Sequence, residues 1–249
     1  VPQLFRSPDP NIDPNHLRSS FNASRGMASF SDMSKTFNLK PVQHDSRAIS
    51  VEGFIVAQVT NVGNVISKHQ LDSPGAIAKL LHRTIIDRQL VGHTGSITAL
   101  SGVRPEALGL VLLAGIHFDP EPSDAVQQSF GTFADFIITF RAAAEHSRDK
   151  VIALLEDRAS ARYVRGLRWA AVHRRLFATG DGRFGLGPRA AREGDRLVIL
   201  SASRMPIILR KSGSEWRVVG PCYVHGIMRG EAVITWRQMA VEPETFLLC

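Results

Sequence analysis

174-RRLFATGDGRFGLGPRAAREGDRLVILSASRMPIILRKSGSEWRVVGPCYVHGIMRGE-231 sets the fold class of this chain, because short apolar runs are cut within it at near-regular intervals by glycine-bearing turns. Gly180-Asp181-Gly182, Gly194-Asp195 and Ser212-Gly213-Ser214 each offer positive φ and a side chain able to bond nearby backbone, which is what tight turns need. Between the first two, Phe184 and Leu186 project to one face and leave Gly185 and Gly187 bare on the other, until Pro188 ends the strand. A bare glycine face means that another backbone or helix comes close. Leu197 to Leu200 is apolar at every position, which predicts burial on both faces. Pro206 to Arg210 and Trp216 to Val219 read as a hairpin around Ser212 to Ser214. Tyr223 to His225, Gly226 and Gly230 close the set.

Upstream the pattern changes twice. Residues 1–20 hold four prolines with Asn, Asp and Ser, the composition of a linker or irregular tail. Strand character appears next at Met27 to Phe30, Lys35 to Leu39 and Ala48 to Val65. In the last, Ile49, Val51, Gly53, Ile55, Ala57 and Val59 share one side, and Gly53 predicts a bend or bulge. Helix signals start at Asp72 and Ser73, where a capping residue precedes Pro74 and the run AIAKLLHRTIIDRQLV. A second helix is expected from Ser123, with Val126, Phe130, Phe133, Ile137 and Phe140 on one face. A third runs through VIALLEDRASARYV, interrupted at Gly166 before LRWAAVHRRLF. The expected plan is therefore a tail over 1–20 and one α+β domain over 21–249, with β-structure at 21–71, helices at 72–176 and a β-rich end at 177–249. Its strands form a small barrel-like or orthogonal sheet assembly, and the central helical segment packs against it.

The 249 residues suffice for a sizeable core, and a hydrophobic content of 44% with a mean hydropathy of −0.03 describes a globular chain. Two cysteines, Cys222 and Cys249, suggest no disulfide framework and favour a reducing, cytoplasmic setting. The longest apolar runs, such as Leu108 to Ile116, fall short of a membrane span. The first residues, VPQLFRSPDPNIDPN, lack the pattern of a signal peptide and look like a chain cut from something longer. The net charge is +7, with 24 arginines against six lysines. Arg158, Arg162, Arg165 and Arg168 recur at intervals of four, three and three, a spacing that aligns them on one helix face, with Arg174 and Arg175 further along. Such a face is either solvated and internally paired or a contact for a polyanion, RNA or anionic lipid.

Sites of chemistry are sparse. Gly180 to Gly185 satisfies the GxGxxG pattern, but a helix precedes it and a strand comes after, the reverse of a dinucleotide fingerprint, so it reads as a hairpin turn. Cys222 with His225, and His117 with Asp119 and Glu121, fall short of the four converging ligands of structural zinc. GHTGS at Gly92 to Ser96 lacks a nucleophile elbow and reads as a helix-joining turn. No cofactor, metal or catalytic set is assigned. His225 is expected to fix a turn near Asp195 or Glu231, with a ligand or catalytic role as the alternative.

The same block resembles the C-terminal region of fungal heterokaryon incompatibility (HET) domain proteins. The matching residues are Arg174, Arg175, Phe177 and Thr179, then Gly185 to Pro188, Gly194-Asp195, Pro206 to Arg210, Gly220, Tyr223 to Gly226, Met228, Gly230 and Glu231. FNASRG at Phe21 to Gly26 and the strand Ile49 to Gly53 look like the segment downstream of the family's conserved core. That core's Leu-Ser-Tyr-x-Trp-Gly signature has no counterpart, since Tyr163 and Tyr223 are the only tyrosines. The resemblance implies a HET-type protein without its core, linked to self/non-self recognition and programmed cell death. Gly185, Gly187, Pro188, Gly194, Asp195, Tyr223, His225, Gly226, Gly230 and Glu231 are then structural family markers.

The function expected is a non-enzymatic scaffold or recognition region with an unidentified protein partner. A polyanion-binding module using the Arg158 to Arg175 face is the second reading, and a small-molecule hydrolase built on His225 and Ser96 is the third.

Overall fold

Strand β1 runs for 17 residues, Ile49–Val65, and its two edges hold the β-structure together. The computed structural model describes residues 49–92, 97–100, 103–115, 133–201, 203–239 and 242–249. The expected tail, the strands at Met27 and Lys35, and the start of the helix at Ser123 lie outside these residues, as do His117, Asp119, Glu121 and Ser96. The described residues divide into two compact units: 177–249 with 49–61, and those within 62–176. The boundary falls inside β1 and inside β4 (Arg174–Thr179).

In the first unit, Ile49 to Gly53 pair antiparallel with β10 (Glu244–Leu248), and Gly53 to Gln58 pair antiparallel with β6 (Arg196–Leu200). Strands β6, β7 (Ile207–Ser212) and β8 (Glu215–Pro221) form an antiparallel meander. β10 joins β8 in parallel at Leu248 and Trp216. The order β1-β6-β7-β8-β10-β1 is a closed five-stranded barrel, which removes the sheet edges from this ring. β4, β5 (Phe184–Pro188) and β9 (Tyr223–Val224) extend the sheet from β1. With six helices among the described residues, the fold is α+β and built on a barrel, as the turn pattern predicts.

Alternation along the strands fills the barrel interior. Val198 and Leu200 of β6, Leu209 of β7, Trp216 of β8 and Phe246 of β10 form one buried cluster, bordered by Val51, Ile55, Ile207 and Leu248. The Trp216 and Phe246 rings lie 5.5 Å apart at 59°, a tilted contact of the kind aromatic pairs favour. Leu197 and Ile199 are buried as well, so β6 is covered on both faces as its unbroken apolar run predicts. The expected bend of β1 is displaced: the register slips between Ile55 and Ala57, not at Gly53. Gly53 answers a different need, because a Cβ there would stand 2.4 Å from the Ile199 carbonyl oxygen. The bare face of β5 is filled as predicted, since a Cβ at Gly185 would meet both the Phe177 ring and the Tyr223 carbonyl at 2.6 Å. Helix α6 (Glu231–Gln238) is numbered last in chain order; it buries Ala232 and Val233, and its Trp236 stacks on Phe54 at 4.8 Å.

The second unit starts its helices where the capping signals stand. Ser73 Oγ accepts the Ala76 amide at 3.2 Å, and Pro74 opens α1 (Pro74–Leu81). The helical run ends earlier than expected: a π-helical turn spans His82–Ile86, Arg88 adopts φ 50°, and β2 (Gln89–Val91) pairs with β3 (Ile97–Ala99). The segment read as mainly helical thus includes a hairpin, and GHTGS falls between two strands, not two helices. α2 covers Pro105–Leu112, α3 Phe133–His146, α4 Arg148–Glu156 and α5 Ala161–Ala171. Ile137 and Phe140 are fully buried, as their spacing predicts. Gly166 does not break the third helix. The break comes at Asp157, whose extended backbone (φ −62°, ψ 141°) and carboxylate, accepting the Ala159 amide at 2.7 Å, start a new turn. Gly166 sits buried within α5, where packing outweighs a glycine cost of about 1 kcal/mol. No helix among the described residues is long and apolar enough to cross a membrane.

The barrel interior makes Phe246 a sensitive position. Phe246→Ala should lower the unfolding free energy by about 3–5 kcal/mol, measured by urea denaturation, while Val218→Ala on the exposed face should stay within about 0.5 kcal/mol. Equal effects at the two positions would contradict the packing described.

Candidate functional site

The most constrained polar group in the family-like block is Asp195, which opens the turn into β6 and is 2% exposed. Gly194 before it takes φ +89°, a conformation that glycine adopts without steric cost. One Asp195 oxygen accepts Arg210 Nε at 2.7 Å; the other accepts Arg210 Nη2 at 2.9 Å and the Arg192 amide at 2.8 Å. Arg210 Nη2 also donates to the Ala190 carbonyl at 2.8 Å. Forked pairing of this kind is the strong form of an ion pair, and the carboxylate raises the Arg210 pKa above its ordinary value. The Gly194 amide donates to the Val59 carbonyl, and the Val59 amide to that of Asp195, both at 2.9 Å. One acidic side chain therefore ties the loop after Pro188 to β7, while its backbone ties that loop to β1.

The closing motif is built in the same way. Tyr223 and Val224 pair with Leu186 and Gly185 of β5. His225 and Gly226 are the middle of a turn closed by the Ile227 amide on the Val224 carbonyl at 3.4 Å, with Gly226 at φ +84°. Met228 is buried, and its Sδ accepts the Val224 amide at 3.4 Å. Gly230 takes φ +99° and its carbonyl accepts the Val233 amide, which starts α6. Glu231 accepts the Arg229 amide at 2.7 Å. Around the turn on which the exposed His225 stands, Asp195 bonds Arg210 and the Arg192 amide, and Glu231 bonds the Arg229 amide. Burial pushes the Tyr223 phenol up to about 12, with Arg229 lowering it and Glu231 raising it.

The GxGxxG segment is the β4–β5 turn. Thr179 Oγ1 donates to Asp181 at 2.6 Å and accepts the Arg183 amide at 3.0 Å, Gly182 has φ +82°, and Asp181 pairs with Arg183. Cys222 is buried with its thiol toward the Pro206 carbonyl at 3.5 Å. Among the described residues no three His, Cys, Asp or Glu side chains gather as a metal site would require.

The basic helix face is narrower than its spacing suggests. Arg158 lies in the 3-10 turn before α5, so only Arg162, Arg165 and Arg168 share the helix. Arg162 donates to the Tyr163 hydroxyl at 2.9 Å and lies 4.9 Å from the centre of that ring. Arg168 Nε donates to the Leu71 carbonyl at 2.7 Å. Arg158 and Arg165 are exposed.

A groove that the sequence did not signal lies in the helical unit. Its volume is about 520 Å³, and it is lined by Ala78 and Lys79 of α1, His82 and Arg83 of the π-turn, Asp87, Ala144 of α3, and Arg148 and Val151 of α4. Lys79 and Arg83, four residues apart, gave a faint hint, but nothing in the spacing brings Arg148 to them. His82 Nδ1 stands 3.4 Å from Asp87. A second, largely apolar cavity among Ile77, Leu112, Phe136 and Leu167 measures about 10 Å³, no more than one water needs.

Residues 125–246 match the family described as Het-6 beta-barrel domain. The Heterokaryon incompatibility protein 6, OR allele, of Neurospora crassa is 28% identical over 105 residues, which are 41% of this chain and 15% of that protein. The aligned stretch is thus a small part of the relative's length. No solved structure matches the chain.

The barrel's polar groups give two testable outcomes. Arg210→Ala leaves the Asp195 carboxylate buried without its counter-ion and should destabilise the fold by about 3 kcal/mol, read as a lower denaturation midpoint. Tyr223 keeps its proton in the folded state up to about 12, whereas the unfolded chain releases it near 10. Above pH 10 the unfolded state therefore binds fewer protons, and stability falls as pH rises, by up to about 3 kcal/mol. In thermal scans from neutral to strongly alkaline pH, Tyr223→Phe should lose this part of the alkaline decline.

Proposed function

Because the chain is of the heterokaryon-incompatibility type, with a Het-6 beta-barrel domain over residues 125–246, we propose that it is a non-enzymatic scaffold and recognition region. It acts in self/non-self discrimination in the cytoplasm, through a protein partner, with cell death as the consequence. The observation that carries this reading is the use of the family-like residues. Asp195 is committed to Arg210, Glu231 to the Arg229 amide, and the glycines to turns and close approaches. Catalysis by general acids or bases calls for such groups to be aimed at open volume. Here they hold a barrel in shape so that its outer surface can be read. Exposed apolar side chains on that unit, Val218, Ile234 and Met239, are available to a protein partner.

A polyanion contact is the second reading, favoured by the exposure of Arg158 and Arg165 and by the net charge of +7. Binding to RNA that falls steeply with salt and is lost in the double variant Arg158→Glu/Arg165→Glu would establish it.

The test of the first reading is a fusion assay between fungal strains carrying different alleles of the gene. His225→Ala should leave the incompatibility response intact, while Ile234→Asp should weaken it without lowering thermal stability. A response abolished by His225→Ala at unchanged stability would overturn the non-enzymatic assignment.

A further inference from the structure

We propose that the groove between α1, α3 and α4 is a binding site for a small organic phosphate. Lys79, Arg83 and Arg148 line it. Its one carboxylate, Asp87, is held by His82, and among the described residues no acid pairs with any of the three cations. Three positive charges facing one concavity repel each other, and walls of low dielectric focus their field on the space between. An anion placed there relieves that repulsion. Two of the three are arginines, whose planar forks match the oxygens of a phosphate.

The shape chooses the kind of phosphate. A volume of about 520 Å³ is the size of a small-molecule site. Ala78, Ala144 and Val151 supply an apolar surface beside the charges, which suits a ligand with a hydrocarbon or aromatic body and one doubly charged end. A phosphate monoester carries about −1.5 to −2 charges at pH 7 and three acceptor oxygens. A single carboxylate would leave most of the groove's charge unmet.

The backbone gives an independent reason to look here. His82 and Arg83 stand on a π-helical turn, a rare departure from the α-helix that recurs at functional sites. Continued α-geometry would give these two side chains different directions. Arg148 stands at the start of α4, with Ser147 as its cap, and its guanidinium reaches to within 3.6 Å of where a Cβ on Gly75 would lie. Charge from α4 is thereby brought over the opening turn of α1.

Isothermal titration calorimetry of the full chain at low ionic strength, with phenyl phosphate as the probe, tests the assignment. Saturable binding is expected, stronger than that of inorganic phosphate and absent for phenol. Arg83→Glu and Arg148→Glu should each weaken it at least about tenfold, and Arg158→Glu/Arg165→Glu should leave it unchanged. Ala144→Phe should abolish it by filling the groove with every charge in place, which separates loss of the site from loss of charge. Absence of saturable binding by a chain with an unaltered melting curve would overturn the proposal. So would equal affinity for inorganic phosphate, or binding that survives both Arg83→Glu and Ala144→Phe.

Discussion

The barrel depends on one strand being held on two edges at once. β1 pairs with β10 from Ile49 to Gly53 and with β6 from Gly53 to Gln58, so residues close to both ends of the described chain must meet before the ring can close. Ile49 lies opposite Leu248, a contact of very long sequence separation whose closure entropy is repaid only when the interior packs. The interior supplies that return, because Val51 and Ile55 enter the same cluster as Trp216 and Phe246. Gly53 is the point where this sharing is tightest. Its missing Cβ lets β1 come against the Ile199 carbonyl at the residue where pairing passes from β10 to β6.

β1 also lies upstream of the segment that matches the Het-6 beta-barrel family, residues 125–246. The matched stretch contains β6, β7, β8 and most of β10, yet these four close into a ring only with a strand from outside it. The family-like residues within the stretch serve that ring and its extension. Asp195 fixes the entry to β6, the two glycines of β5 make room for Phe177, and the closing motif turns the chain from β9 into α6. These residues serve one physical end: each turn sets the register of the next strand, and a one-residue slip would move every interior side chain outward.

Charge is organised differently in the helical unit. The arginine series on α5 that stands out in the linear chain is partly consumed, with Arg168 on the Leu71 carbonyl and Arg162 against Tyr163. The cations that share a groove, Lys79, Arg83 and Arg148, come from two segments far apart in sequence. Their common placement results from the packing of α1 against α4 and from the π-turn, neither of which has a simple sequence signature.

Residue order alone determined the barrel-like β-block, through Gly182, Gly194 and Gly213 at the turns and the doubly apolar Leu197 to Leu200. It also determined the Ser73-Pro74 helix start and the buried face of α3 at Ile137 and Phe140. These are local matters, decided by φ, capping and periodicity within a few residues. It misplaced the break at Gly166, missed the hairpin of β2 and β3, and put the bulge of β1 at Gly53, because each depends on what packs alongside. Only the tertiary structure decided that β1 closes a five-stranded ring, that Asp195 is paired with Arg210, and that three cations face one groove. Those outcomes rest on pairings between distant segments, where burial and counter-charge select among partners that the sequence leaves equally available.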